Sequence, residues 1–394
     1  MSFYTSASFF IVLAASIVPA AVLGLTGHSI RRYGLVASVF FIACLFAGSP
    51  AQLAAFLVFL AAAAFCAYVV FRSWTRGRRN VALYRAMLAL TLAPLAVYKV
   101  SAVFDANFLG FIGISYLTFK AVQVLVEIRD GLIEELSAFD WLYFIVFFPV
   151  ITSGPIDRSR RFLADAHAKL SGREYADLLA RGILLLFIGA VYQLVIATVL
   201  HSQVSFQPFY AEKTLFVNFG SAAKDAWAYG LYLFFDFAGY SMMACGASYC
   251  FGIRTPRNFR APFAAVDIKD FWNRWHITLS FWLRDFVFMR LVTSLTRRKV
   301  FSTRLTRACW GYIANMGLMG CWHGLTCDYI AYGLFHGVLL AACDAYQKKS
   351  AFHKRHKNAT WYKLCSWALT INLVMLGFSI FSGQFATFVG GFFV

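Results

Sequence analysis

The uncharged run at residues 51–71, AQLAAFLVFLAAAAFCAYVVF, decides the class of fold to which this chain belongs. About 20 mostly apolar residues are enough for a helix to cross the hydrocarbon core of a bilayer. Directly after the run come Arg72, Arg76, Arg78 and Arg79. Because cytoplasmic loops of membrane proteins are enriched in Lys and Arg, this cluster predicts that the helix ends on the cytoplasmic side.

The composition extends this conclusion to the rest of the chain. Of the 394 residues, 60% are hydrophobic and only 14% are charged, whereas soluble domains carry about 25% charged residues. A soluble globule could not cover so much apolar surface, so a soluble enzyme, a disordered protein and a nucleic-acid binder are excluded. The formal net charge of +18 predicts contact with anionic lipid headgroups or with an acidic cytosolic partner.

Further apolar runs predict an all-α, multi-pass protein of the cell membrane, forming a single integral-membrane domain over residues 1–394. Basic clusters between the runs place the intervening loops in the cytoplasm, which leaves both termini on the extracytoplasmic side. The predicted spans are 8–25, 34–48, 51–71, 84–101, 107–127, 181–201, 226–250, 308–322, 328–346 and 361–383.

A shorter apolar piece at 141–153 has predicted cytoplasmic chain at both ends and contains Pro149. One pass cannot begin and end on the same side, so this piece is predicted to be re-entrant. Broken backbone at membrane depth is tolerated only where it is buried in protein or lines a cavity. By the same reasoning, 308–322 and 328–346 form a hairpin whose turn faces the far side of the membrane.

The stretch 270–286 is predicted to be one amphipathic helix at headgroup depth. Its apolar residues recur at helical spacing and form a single stripe, and its Trp and Arg content is typical of a membrane interface. A purely structural interfacial helix is the alternative. The residues of the stripe are Phe271, Trp275, Leu279, Trp282 and Phe286.

His323 is the strongest candidate for a catalytic residue, because it lies between Trp322 and Gly324 at the predicted hairpin turn. A histidine buried there stays neutral, which is the state that a general base requires. A hydrogen-bonded structural histidine is the alternative, and the role of His336 is left open. A metal site built on Cys321, His323 and Cys327 lacks further ligands. The sequence contains no Walker loop, nucleophile elbow or dinucleotide fingerprint, so direct transfer of an activated acyl group to a hydroxyl is favoured.

Trp322-His323-Gly324, together with the aromatic stretch 270–276, resembles the membrane-bound O-acyltransferase family. The separation of His276 and His323 fits the bacterial members of that family. Further segments are similar to the branch that transfers D-alanine, and the resemblance covers a core of about residues 85–345. These segments are 113–119, 127–131, 148–158 and 236–242.

The resemblance implies a ring of about ten to eleven transmembrane helices, with re-entrant or interfacial segments, around a central funnel or tunnel. It implies that D-alanine arrives as a thioester on the phosphopantetheine arm of an acidic cytosolic carrier protein. The acyl group leaves on a hydroxyl, through an extracytoplasmic acceptor or accessory protein, and esterifies teichoic acid or another envelope polymer. The chain itself is expected to bind no cofactor and no metal.

The resemblance also assigns roles to residues. His323 is implied to be the buried catalytic histidine, and His276 a second catalytic histidine nearer the cytoplasm. A polysaccharide O-acetyltransferase of the same family and a transporter of a lipid-linked substrate are the alternative functions. The residues expected to bind substrate are Trp322, Asn273, Arg274, Trp275, Ser280, Trp282, Arg284 and Asp285.

Overall fold

The structure is a computed structural model that describes residues 2–391. The chain divides into two compact units. Unit 1 contains the chain up to Val191 together with Gly239–Arg257, and unit 2 contains Tyr192–Ala238 together with the chain from Asn258 onward. Within residues 2–391, all regular secondary structure is helical.

The first eight helices belong to unit 1, and each predicted span in this region coincides with a helix. Helix α5 begins later than the predicted 107–127, because Gly113 takes a left-handed conformation (φ 91°) directly before it. The helices are α1 (Ala7–Leu25), α2 (Arg31–Phe46), α3 (Pro50–Thr75), α4 (Val81–Ala102), α5 (Ile114–Arg129), α6 (Ala138–Val146), α7 (Ser159–His167) and α8 (Gly172–Ala190).

The piece 141–153 contains the broken backbone that is expected of a re-entrant segment, and its re-entrant course stays a prediction. Helix α6 ends before Phe147, and a single 3₁₀ turn follows at Phe148–Val150. Buried side chains from distant parts of unit 1 satisfy this backbone. Lys120 Nζ donates to the carbonyl oxygen of Phe144 at 2.8 Å, Ser38 Oγ accepts from the amide of Phe148 at 3.2 Å, and Tyr4 Oη donates to the carbonyl oxygen of Pro149 at 3.0 Å.

The remaining helices lie mainly in unit 2. A π turn at Val191–Ile196 joins α8 to α9, so the predicted span 181–201 is part of a longer helix. Helix α10 belongs to unit 2 up to Ala238 and to unit 1 beyond it. These helices are α9 (Ala197–His201), α10 (Leu215–Cys250), α11 (Ile268–Trp272), α12 (Ile277–Leu283), α13 (Met289–Arg297), α14 (Arg304–His323), α15 (Cys327–Lys349), α16 (Ala351–His356), α17 (Thr360–Ser382) and α18 (Gln384–Gly390).

Several helices have the length and apolarity that a membrane span requires, so the chain is a multi-pass membrane protein. Among residues 2–391, five segments meet both conditions. They are Ala7–Leu25, Pro50–Thr75, Val81–Ala102, Gly172–His201 and Thr360–Ser382.

The prediction of one continuous helix over 270–286 is wrong. Helix α11 ends at Trp272, and α12 begins only after His276, whose φ of 42° is left-handed. The break is stabilised by Asn258, which lies 18 residues before His276 in the chain. Its carbonyl oxygen accepts from the amide of Ile277 at 2.8 Å, and its Oδ1 accepts from Thr278 Oγ1 at 2.5 Å. Asn258 therefore caps α12 and replaces the turn that a continuous helix would supply.

Candidate active site

The hairpin of α14 and α15 places His323 at the end of its first limb, as predicted. The two helices approach closely because glycines face each other. A Cβ atom added to Gly320 would lie 3.1 Å from the Cα of Gly333, which is too close for an unstrained contact. Small residues allow this packing in membrane proteins. His323 consequently lies beside Tyr332 of α15, with 6.3 Å between the ring centroids.

The His323 imidazole has an aromatic environment. Its ring centroid lies 4.6 Å from that of Trp322, 5.0 Å from that of Phe381 and 6.1 Å from that of Tyr329. The expectation of a buried His323 is corrected, because the residue is only half-buried. The reason is its position in the last turn of α14, where the chain leaves the helix before Gly324.

His276 is the more deeply buried of the two histidines, with 4% of its surface exposed. The cap from Asn258 holds it in the break before α12. Its ring packs edge-on against Phe237, with 4.7 Å between centroids. A left-handed conformation at a residue other than glycine is strained, and such strain persists where the surroundings fix it, often at functional sites.

Trp322 connects the two imidazoles. Its ring centroid lies 6.5 Å from that of His276 and 4.6 Å from that of His323. Burial and, to a smaller extent, the charge that His323 can carry lower the pKa of His276 to about 3. His276 is therefore neutral at cellular pH. Its Nε2 atom is buried and has no hydrogen-bond partner among residues 2–391.

A cavity of about 190 Å³ in unit 2 lies between α12 and α14. Its lining includes three of the predicted substrate-binding residues, Asn273, Ser280 and Arg284. Met319 also lines the cavity, and it precedes His323 by one helical turn on the same face of α14. Met319 therefore connects the lining of the cavity with the last turn of α14, which carries His323.

The other predicted substrate-binding residues are used within the protein. Arg274 Nε donates to Asp270 at 2.7 Å, and Asp285 accepts from Nε of the cavity-lining Arg284 at 2.8 Å. Trp275 is buried against aromatic rings, including a stacked contact with Phe271 at 5.6 Å between centroids. Trp282 is also buried, and its ring packs against that of Phe286 at 5.0 Å.

Two residues that sequence reasoning missed face the same cavity. Asn315 of α14 and Trp272 of α11 are both buried, and Asn315 Oδ1 and Trp272 Nε1 lack hydrogen-bond partners within the described chain. Asn315 could have been found from the sequence, because an amide inside a predicted span is costly and marks a candidate site. One orphan acceptor and one orphan donor suit a ligand that contains amide groups.

His336 lies on α15 and is fully buried. Its ring packs perpendicular to that of Trp272, with 5.2 Å between centroids, and lies 4.7 Å from that of Tyr332. Neither ring nitrogen has a hydrogen-bond partner within residues 2–391. Over the same residues, His, Cys, Asp and Glu side chains form no group of three that could hold a metal ion.

The fold and this site define a helical, multi-pass membrane protein with two histidines gathered around a tryptophan beside a small cavity. The model of the MBOAT, membrane-bound O-acyltransferase family matches residues 37–387, and the chain belongs to this family.

Similarity to individual relatives extends over almost the whole chain. The teichoic acid D-alanyltransferase of Bacillus subtilis is 38% identical over 98% of both chains. The teichoic acid D-alanyltransferase of Streptococcus thermophilus is 38% identical over 96% of this chain and 94% of that relative. The peptidoglycan O-acetyltransferase of Helicobacter pylori is 30% identical over 62% of this chain and only 44% of that relative.

Proposed function

We propose that this chain is a membrane enzyme that transfers D-alanine from a thioester to a hydroxyl acceptor, for esterification of teichoic acid or another envelope polymer. The thioester is carried on the phosphopantetheine arm of a small cytosolic carrier protein. One observation carries the proposal: Trp322 contacts both His276 and His323 in a chain that is similar to D-alanyltransferases along nearly its whole length.

In this mechanism His323 is the general base. Its imidazole accepts the proton of the acceptor hydroxyl while the hydroxyl oxygen attacks the thioester carbonyl. The carbon–sulfur bond breaks as the ester bond forms, and the imidazolium returns the proton to the departing thiolate. Because the thioester is already activated, the reaction needs no ATP and no cofactor bound by this chain.

His276 is proposed as the second histidine of the reaction. A neutral imidazole offers one donor and one acceptor, and the orphan Nε2 of His276 is available to a substrate group. The cavity lined by Asn273, Ser280 and Arg284 would take the amide-containing arm. The orphan polar atoms of Trp272 and Asn315 support this assignment.

The proposal includes a topology and partners. About ten to eleven spans surround a central passage in the cell membrane, and both termini are extracytoplasmic. An acidic carrier docks on the cytoplasmic face, while an extracytoplasmic acceptor or accessory protein takes the product. The net charge of +18 favours both the acidic carrier and anionic lipids.

The decisive experiment reconstitutes the full chain in vesicles with a carrier that bears radiolabelled D-alanine and with hydroxyl acceptors. We expect His323→Ala to lower the transfer rate by about 10²–10⁴-fold, the contribution typical of a general base. The matched control is His28→Ala, which removes an exposed histidine of unit 1 and should leave transfer unchanged. Transfer by His323→Ala at the rate of the unmodified chain, with both proteins equally folded, would remove His323 from the mechanism.

The same reconstitution separates the alternative functions. A polysaccharide O-acetyltransferase is the second candidate, because similarity to the acetylating relative of Helicobacter pylori covers 62% of this chain. Mass analysis of the modified acceptor distinguishes an acetyl from a D-alanyl group. A transporter of a lipid-linked substrate would produce flux into the vesicles without an acylated product.

A further inference from the structure

A second cavity in unit 2, larger than the one beside the histidines, has no part in the proposed transfer. It measures about 550 Å³ and lies between α15, α16 and α17. This volume falls within the range of about 300–1,000 Å³ that is typical of sites for small ligands. Most of its lining is apolar or aromatic.

The cavity is polar at one end and apolar at the other. His353, Lys357 and Lys363 line it where α16 ends and α17 begins, and the lining continues along α17 to Leu373. From Lys363 to Leu373 the helix rises about 15 Å. Because α17 begins at Thr360 and is one of the helices able to span a membrane, the apolar end lies at the depth of the hydrocarbon core.

Several other polar groups that line the cavity are already bonded within the protein. Asp267 accepts from Gln347 Nε2 at 2.9 Å, and Ser366 Oγ donates to the carbonyl oxygen of Val266 at 2.6 Å. Asp267 and Gln347 lie at the same end of the cavity as the cations, since Gln347 is close to the end of α15 and Asp267 interacts electrostatically with Tyr362.

The cations at this end differ from these bonded groups. His353 Nδ1 lies 2.9 Å from Tyr362 Oη. The ammonium groups of Lys357 and Lys363 take part in no hydrogen bond or ion pair with residues 2–391, and both residues are exposed. The two lysines outnumber the single carboxylate that lines the same cavity, Asp267, so this end carries a net positive charge.

We propose that this cavity binds an anionic phospholipid, with the headgroup phosphate at Lys357 and Lys363 and an acyl chain along α17. Charge complementarity favours the anionic headgroup. A lipid is favoured over a protein partner because Leu369, which lines the cavity, is 63% exposed on a membrane-spanning helix. Hydrocarbon chains reach that depth, whereas a soluble protein does not.

The test uses the full-length chain in detergent, labelled with phosphatidylglycerol that carries a photoreactive acyl chain. Peptide mapping should place the label within residues 339–373. Photoreactive phosphatidylcholine of the same chain length should label these residues at least about fivefold less, since the site selects a net negative headgroup. Equal labelling by the two lipids, or label spread evenly over the spans, would overturn the proposal.

Variants locate the two ends of the site. Lys357→Gln combined with Lys363→Gln should weaken labelling by about tenfold. The control, Arg297→Gln with Arg298→Gln, removes the same charge from another basic cluster and should change labelling less than about twofold. If the control lowers labelling equally, general surface charge and not this cavity attracts the lipid.

The apolar end is tested by Ala342→Phe, which places a ring in the cavity from an exposed position of α15. Labelling should be lost while the gel-filtration profile stays unchanged. Labelling that persists in this folded variant contradicts the proposal. So does displacement of the lipid by an excess of the carrier protein, which would make the cavity a protein docking site.

Discussion

Two sets of buried polar groups, one in each unit, have opposite roles. In unit 1, Lys120 donates to a carbonyl oxygen in the last turn of α6, and Ser38 accepts from an amide of the 3₁₀ turn that follows. In unit 2, polar atoms of His276, Asn315 and Trp272 are buried without a hydrogen-bond partner among the described residues. The first arrangement closes a gap in the backbone, and the second leaves polar atoms for something that the chain itself does not provide.

The difference distinguishes buried polar groups that stabilise the fold from buried polar groups that are left for a ligand. A buried polar group without a partner costs about 1–3 kcal/mol, so each one requires an explanation. A substrate that supplies the missing hydrogen bonds is such an explanation for the atoms beside the cavity of α12 and α14. Substitutions in the broken segment should therefore alter stability, whereas substitutions at the orphan atoms should alter transfer.

The largest effect in this comparison is expected from Lys120→Met. It leaves the carbonyl oxygens of Phe144 and Ile145 buried without their donor, and it should lower the free energy of unfolding by about 2–3 kcal/mol. Thermal unfolding in detergent measures this loss. Transfer per folded molecule should stay within about twofold of the original rate, because Lys120 touches only the broken segment of unit 1.

The matched control for this substitution is Lys169→Met, which removes an exposed lysine of the same unit. It should change the free energy of unfolding by less than about 0.5 kcal/mol. If Lys120→Met unfolds at the temperature of this control, the lysine does not stabilise the broken segment.

The next largest loss of stability is expected from removing the side-chain cap of α12. Asn258→Ala removes the acceptor of Thr278 Oγ1, and should cost about 1–2 kcal/mol of stability. Because the cap holds His276 in its strained conformation, the transfer rate should fall as well. Thermal unfolding and the reconstituted transfer assay measure the two changes.

A double-mutant cycle sharpens this prediction. Thr278→Ala removes the other member of the bond, so the two substitutions together should cost less than the sum of their separate costs. Strictly additive costs would mean that Asn258 and Thr278 do not act through one bond.

The sequence could predict the features that depend on local composition. Helices such as α1, α3 and α17 follow from apolar runs, and the hairpin of α14 and α15 follows from two such runs around Gly324. Pro149 and the sidedness of the loops were enough to predict the broken segment. In each case the signal lies within the segment itself.

The sequence could not predict the features that depend on a distant partner. The break before α12 exists because Asn258 supplies the cap, and periodicity within 270–286 contains no information about that residue. Lys120 and Asn315 are visible as polar residues inside apolar runs. Packing between segments far apart in sequence determines which of them has a hydrogen-bond partner. Only the structure therefore shows which residue stabilises the fold and which is left for a ligand.

A further effect should appear in the pH dependence of stability. The pKa of His276 is lowered from its ordinary value of about 6.5 to about 3 by burial. Between these values the unfolded chain binds a proton that the folded chain does not, so stability falls as pH falls through this range. The slope from this residue is at most about 1.4 kcal/mol per pH unit.

His276→Asn removes this titration and retains a residue type that tolerates the left-handed conformation. Its unfolding temperature should therefore decrease less between pH 6.5 and pH 4 than that of the original chain. His28→Asn, at an exposed position, should leave the original pH dependence unchanged. If the unfolding temperatures of His276→Asn and of the original chain decrease equally as pH falls, the imidazole is not buried in its neutral form.

The smallest effect on stability is expected from Asn315→Leu. This substitution distinguishes most directly between a structural role and a ligand-binding role for a buried polar group. The side chains have the same branched arrangement of heavy atoms, and the substitution removes a buried oxygen that has no partner in the described chain. Stability should therefore stay the same or rise by up to about 1 kcal/mol. If the oxygen accepts a hydrogen bond from the arm of the substrate, KM for the loaded carrier should rise about fivefold, which corresponds to roughly 1 kcal/mol. A loss of stability with an unchanged KM would instead make Asn315 a structural residue of the same kind as Lys120.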